Sequence, residues 1–521
     1  MQSESRILVF VLIVLVLDSG FSNTDQIANR LALQSQGATT NTRILGGEVD
    51  IKQQSGAFEG YNLFVVVKEE MPARNRQYMM MIVDMGGNVL LEEEIDADSF
   101  LADHPAEFID PRTILVATND SASLFNLTSG SMTLLPFNGH HDFEYNPIND
   151  TFFTLRYTIK TVDLQTYLYD RIVEYNREGD TVWSFPVSSI VDTDMWCPYR
   201  EYYSGFPDVS HSNTVYYDAE DDAIYLMTRN ANTFWKINHS NGEAIWGLGQ
   251  YGDFNLFNKW GKPTDTLFYH AHAVERIDDN KFILFDNDYH NQTDEIDRNS
   301  RIIEITIDED TMTANTSWVW EPGVEYYSYV WGDADRLPNG DRLGVFGVGS
   351  RLTSEYGARL VEVNAEHDIL WELSFVSNET YRYGIYRNER FQFQPFIQVL
   401  EVRNTNTEGS VIIDWQTAYN YRPKRDISGT YEFYVDDVLL DEGEVTFDRY
   451  WRPTVFSHSI ENLTLGIHNV TIVVWDGFGH ASTLMTDIEI NLFSIFQVSL
   501  FMIATAGIIA LVIIWRRYIR N

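Results

Sequence analysis

From about residue 60 the chain alternates short apolar runs with turns rich in Gly, Asn and Asp, closely spaced and with few helical periods. Such runs, bounded by turn residues, predict β-strands rather than helices. Four segments share one ending, an apolar strand, a polar turn and a strand carrying Trp: "RIVEYNREGDTVWSF" (171–185), "TFWKINHSNGEAIWGL" (233–248), "RIIEITIDEDTMTANTSWVW" (301–320) and "RLVEVNAEHDILWEL" (359–373). Each follows a strand pair in matching register, opening at His141, His211, His272 and Gly332, so the starts are 70, 61 and 60 residues apart. Two weaker units occupy roughly 60–96 and 112–137. All-β repeats of this length, about four strands each, predict propeller blades. The expected fold is therefore all-β, with a six-bladed β-propeller over 60–394, the count good to one blade.

The Trp-ended repeat stops near residue 395. Residues 395–490 carry alternating strands and a late Asp-Gly-x-Gly turn, which predict a small immunoglobulin-like or PKD-like β-sandwich without the Cys pair of antibody domains. Its expected job is that of a spacer, with His458, His468 and His480 structural or solvated. Residues 24–59 are polar and weakly patterned, and are expected to form a linker.

The two ends change the picture from a soluble to an anchored chain. Arg6 precedes the apolar run Ile7 to Leu17, which predicts a signal peptide or N-terminal anchor over 1–23. The run from Leu492 to Trp515 has no charge and is long enough to span a bilayer; Arg516, Arg517 and Arg520 follow, so the tip 516–521 is expected in the cytoplasm and the rest outside. A single-pass cell-membrane protein follows, its membrane partner met through the C-terminal helix. Nine N-x-[ST] sequons, at Asn119, Asn126, Asn149, Asn238, Asn291, Asn315, Asn378, Asn462 and Asn469, lie between the two apolar segments and agree with export and glycosylation. The net charge of −39 excludes a nucleic-acid partner. One cysteine, Cys197, excludes an intramolecular disulfide and a Cys-based metal site.

Equivalent positions of successive blades face one central channel. His140 and His141, His211, His272, and Gly332 with Asp333 are therefore expected to meet at one mouth, three histidine-bearing blades and a fourth whose glycine leaves room. Imidazole serves as nucleophile, general acid or base, or metal ligand. Arg229, 18 residues after His211, favours a tetrahedral oxyanion over a metal cation, because a fixed guanidinium pairs with sulfate or phosphate. No metal and no cofactor are expected.

These residues carry a resemblance. Asp208, His211, Asn213, Arg229 and Trp246 match the D-x-x-H-x-N strand, Arg-bearing strand and Trp ending of the arylsulfotransferase family. His272, Phe285, Asp286 and Asn287 are similar to its "QH…FDNG" blade, with Ala271 in place of Gln; His140, His141 and Asp142 resemble its H-H-D blade; "WGDADRLPNGDRLGVFG" resembles a fourth. The resemblance covers roughly 110–390, weakly from 60. It implies a six-bladed propeller and sulfotransfer from an aryl sulfate to a phenol without a nucleotide donor. His272 would attack sulfur and become transiently sulfated, in a ping-pong cycle. Arg229 and His211 would hold the sulfuryl oxygens, and His141 or His140 would assist proton transfer. Asn213, Asn287, Tyr145 and Tyr269 are expected to line the substrate site, and His270 either stands in for the missing Gln or is structural. The anchor and sandwich point to an archaeal-like cell-surface setting. The attacking imidazole must be neutral, so acid should silence the enzyme. Two rival readings stand beside this one: a non-catalytic surface propeller that binds a ligand or partner protein, and a quinoprotein-like dehydrogenase, which expects a vicinal Cys pair that this chain lacks.

Overall fold

The computed structural model describes residues 43–45, 47–95, 104–118, 120–195, 197, 202–203, 205–290, 299–349, 356–405 and 409–490. The segments expected to be a leader (1–23), a membrane span (492–515) and a cytoplasmic tip (516–521) lie outside the described residues. Among the described residues no helix is long and apolar enough to cross a membrane.

The described chain is all-β, with only short 3-10 turns as helical elements. Six antiparallel meanders follow one another in a propeller-like arrangement. The second to fifth are continuous in sequence, with innermost strands Ala106–Asp110, His140–Asn146, Ser212–Asp218 and His272–Asp278. The sixth begins at Asp333–Arg336. The first sheet joins both ends of this region: Tyr381–Phe391 pairs with Tyr61–Glu70, which continues through Asn75–Asp84 to Val89–Glu94. Within the expected linker, Gly47–Gln53 is a strand that extends the sixth sheet by pairing with Ile369–Val376. Its alternation (Gly47, Val49 and Ile51 against polar neighbours) is short, and its partner lies more than 300 residues away, which is why the local pattern reads as linker.

Neighbouring sheets pack face to face, and their middle strands are buried on both faces. Leu115, Phe143 and Phe152 fill the gap between the second and third sheets. Leu155, Val215 and Leu226 fill the next, then Phe234, Phe282 and Leu284, then Phe285, Ile302 and Phe346. The repeated Trp closes these gaps from outside: Trp246 and Trp320 are nearly fully buried, and Trp371 donates Nε1–H to Met85 O at 2.8 Å. Each such ring removes roughly 200 Å² from water, worth about 5 kcal/mol at 25 cal/mol per Å². The innermost strands also meet in series: His140–Asn146 against Ser212–Asp218, Ser212–Asp218 against His272–Asp278, then Asp333–Arg336, Tyr381–Phe391 and Ala106–Asp110.

After the sixth sheet, seven strands form two sheets, Phe396–Asn404, Val411–Ala418 and Thr454–Ile460 in one and the four strands from Ile427–Val435 to Ala481–Ile490 in the other. Trp415 at their centre is fully buried, stacks on Phe456 (4.5 Å) and donates Nε1–H to His458. His468 and His480 pair with Asp436 and Asp476 at 2.6 and 2.7 Å.

This unit packs against the meanders. Phe58 packs on Phe396 and Trp451 (5.1 and 5.9 Å), and Phe108 stacks on Tyr421 (5.2 Å). Two basic loops, 419–425 and 449–452, meet the acidic turns of the meanders: Arg452 bonds Asp278 at 2.7 Å and Tyr450 bonds Asp279 at 3.1 Å. Lys424 reaches Glu144 (2.9 Å) and Glu107 (3.1 Å), and Arg422 pairs with Glu275. These carboxylates, with Asp335 and Glu389, line a cavity of about 60 Å³ to which all six innermost strands contribute. Burial pushes the Glu144 carboxyl up to about 8, although Lys424 opposes the shift.

Candidate active site

His140, His141 and His272 open their innermost strands and His211 stands just ahead of its own, with Glu144 and Glu275 three residues after His141 and His272. There the ladders break: the register shifts between His140 and Phe143, Ser212 and Thr214, and His272 and Glu275. Such bulges re-aim side chains. His141, His211, His270 and Ala273 adopt φ of 62°, 41°, 54° and 52°. Side chains with a Cβ resist that region, and it concentrates at functional sites.

The structure brings His141, His211 and His272 together around Arg229. The rings of His141 and His211 are 5.0 Å apart, centroid to centroid, at 77°. Arg229 is 1% exposed, held in the 3-10 turn Arg229–Ala231, with Nη1–H donated to Asn230 Oδ1. Its charge helps to depress the basicity of His141, His270 and His272.

Each of the three histidines has Nδ1 engaged from behind. His272 Nδ1 lies 2.6 Å from Asn287 Oδ1, while Asn287 Nδ2 donates to Ser328 O and Trp331 O, both at 2.8 Å. Because both amide hydrogens go to carbonyls, the oxygen faces the ring, so Nδ1 carries the proton and Nε2 the lone pair. His211 Nδ1 donates to Asp208 Oδ2 at 2.6 Å, and its backbone N–H bonds Asp208 Oδ1 at 3.1 Å. His141 Nδ1 meets His140 Nδ1 at 2.7 Å; His140 Nε2 in turn lies 3.4 Å from Asp170 Oδ1, and Tyr157 stacks on His140 at 3.8 Å. Burial pushes the Asp170 carboxyl up, but hydrogen bonds from His140, Ser212 and Ser210 outweigh it and hold the group below its usual range.

These backings differ in charge, and so divide the labour. A carboxylate behind His211 orients a ring that can give or take a proton. Behind His272 stands a neutral amide, and burial with the Arg229 charge holds its imidazole well below the usual 6.5, hence neutral. A neutral, oriented imidazole beside a fixed guanidinium is a nucleophile suited to an anionic tetrahedral centre.

The other expected residues fall as follows. Asn287 holds His272 rather than facing outward. Asn213 is fully buried and spends its amide between sheets, donating Nδ2–H to Ala271 O at 2.9 Å. Tyr269 is at the histidine end, stacked on His290 at 4.0 Å. Tyr145 lies at the far end of His140–Asn146, its hydroxyl on Asp150 at 3.0 Å, so it does not reach the histidines. Asp170, Ser328 and Trp331 were not singled out from the sequence. One signal was legible: His141, His272 and also His104 each precede a glutamate by three residues, the mark of one shared register. His211 stands two positions earlier than that register, five before Tyr216, which pairs with Tyr225 as Glu144 pairs with Phe153.

Among the described residues no cluster of His, Cys, Asp and Glu has metal-binding geometry. The chain is similar in structure to a dihydro-heme d1 dehydrogenase, NirN, in complex with DHE (TM-score 0.28, 10% identity, 84% of this chain and 80% of that one). It is likewise similar to Kuenenia stuttgartiensis hydrazine synthase (0.29, 10%, 62% and 79%) and Kluyveromyces lactis Hsv2p (0.26, 7%, 60% and 81%). No curated protein sequence matches it. The arylsulfotransferase (ASST) family pattern matches residues 47–387, which span the histidine-bearing sheets, and the chain belongs to that family.

Proposed function

We propose that the chain is a surface-anchored arylsulfotransferase that moves a sulfuryl group from an aryl sulfate to a phenol through a sulfohistidine at His272. On this reading the six meanders close a six-bladed propeller, and the C-terminal pair of sheets is immunoglobulin-like. Residues 492–515 hold the protein in the cell membrane with its bulk outside. The observation that supports the reading is His272 Nδ1 at 2.6 Å from an amide oxygen, which leaves the lone pair on Nε2 of a neutral ring that lies within electrostatic reach of Arg229 and His211.

The cycle balances as follows. His272 Nε2 attacks sulfur, the S–O bond to the first phenol breaks, and the leaving oxygen takes the bond pair and a proton from His211. Arg229 neutralises the sulfuryl oxygens as charge builds. The acceptor phenol then attacks the sulfur, loses its proton to a site histidine, and the N–S bond breaks with its electrons returning to His272.

The test is turnover of 4-nitrophenyl sulfate by the full chain with phenol and no nucleotide, beside His272→Asn. Phenol-dependent release by the parent alone supports the reading and the nucleophile. Equal release by both moves the chemistry off His272, and no release by a folded parent refutes sulfotransfer.

A further inference from the structure

His270 is left unused by the cycle above, yet its placement is specific. Counting back from the inward-facing residues Tyr216 and Glu275, which pair with Tyr225 and Ile283 in the same register, His211 and His270 both stand five positions earlier. Both take left-handed backbone, φ 41° and 54°. His270 is thus the counterpart of His211 on the next sheet. Its backbone N–H is tied to Asn232 Oδ1 at 2.9 Å, three residues beyond Arg229, and Arg229, His211 and His272 lie within electrostatic reach of its ring.

The two differ in what stands behind them. Asp208, three residues before His211, takes its Nδ1 proton; three residues before His270 stands Leu267, buried in the apolar core. The His270 ring is fully buried, 5.4 Å from Tyr289, and among the described residues neither of its nitrogens has a hydrogen-bond partner. Buried polar groups are almost always paired, and a donor and an acceptor idle in one side chain disfavour the fold. Burial, then the Arg229 charge, depresses its basicity, so the ring stays neutral with one N–H to give. What an idle N–H beside a buried guanidinium fits is an oxygen of an anion.

We propose that His270 is a further substrate-contacting residue, which donates its ring N–H to an oxygen of the sulfuryl group in flight between the two phenols. This rests on the sulfotransfer reading. It makes the sulfuryl pocket a cage built from two consecutive sheets, with His211 and His270 at matching positions and Arg229 near both.

The test uses the full chain with His270→Leu and His270→Gln, inorganic sulfate as the binding probe and 4-nitrophenyl sulfate as substrate. Leu removes the idle polar atoms, so the unliganded Leu variant should melt at or above the parent temperature. Its sulfate affinity and its kcat/KM for the aryl sulfate should each fall roughly tenfold or more, while Gln, which keeps an N–H donor, recovers part of both. Parent-like sulfate affinity and turnover in the Leu variant would overturn the proposal and leave the sulfotransfer reading standing. A Leu variant that melts lower, with Gln no better, assigns His270 a structural role and also overturns it. A folded parent that neither binds sulfate nor transfers it defeats both readings together.

Discussion

Replacing Asn287 with alanine removes the oxygen that fixes the His272 proton on Nδ1. His272 is 3% exposed and its Nδ1 makes the 2.6 Å bond to Asn287 Oδ1. A buried N–H without an acceptor costs about 1–3 kcal/mol. The ring can escape that cost only by moving the proton to Nε2 or by turning away, and either takes the lone pair off the sulfur. At 1.4 kcal/mol per factor of ten, the donor half-reaction should slow by roughly 10- to 100-fold. KM for the donor should change little, because on the proposed reading Arg229 and not Asn287 meets the anion. Stability should fall only modestly, since Ser328 O keeps the Ser300 hydroxyl at 3.0 Å and only Trp331 O loses its amide donor outright. The assay is the stopped-flow burst of nitrophenol from 4-nitrophenyl sulfate without acceptor, with a melting curve alongside. A burst within threefold of the parent, in a folded variant, would refute the claim that tautomer control at His272 is part of the machinery.

Two further outcomes follow from the geometry. Lys424→Met leaves Glu107 and Glu144 facing each other without the ammonium they share at 3.1 and 2.9 Å. Removing one partner of a buried ion pair costs about 3–5 kcal/mol, so the melting temperature should drop by several degrees and backbone exchange should rise in residues 419–426; an unchanged melt and exchange pattern would refute the docking. The burst should hold its rate as pH falls from 8 through 6.5, because burial and Arg229 depress the His272 basicity well below 6.5; the nucleophile is lost only in stronger acid. An acid limb centred at 6.5 would contradict that. The same depression means that His272 contributes stability above 6.5, its unfolded value, which is lost as pH falls through the folded one.

Local sequence carried the repeat because the third to sixth meanders are built mainly from contiguous strands and end in a Trp that covers an apolar gap. It carried His141 and His272 because each opens an innermost strand in the same register. It misplaced the exact standing of His211, since a bulge shifts pairing between Ser212 and Thr214 and no residue type marks a bulge. Asn287 was visible as a matched position but not as the group behind His272, because its orientation depends on two carbonyls, Ser328 O and Trp331 O, supplied by the following loop. Tyr145 follows His141 by only four residues, yet that distance along a strand carries it to the far end. Gly47–Gln53 and the basic loops 419–425 and 449–452 find their partners hundreds of residues away, where no periodicity reaches.

The docking of those basic loops decides how molecules travel. Arg422 and Lys424 line the cavity from the sandwich side. On the proposed reading that confines traffic to the histidine side, so the spent donor would walk out before the acceptor walks in, with the sulfuryl group parked on the protein in between. A double-displacement rhythm would then be a matter of traffic as much as of chemistry, and the sandwich, far from the reacting atoms, would help to impose it.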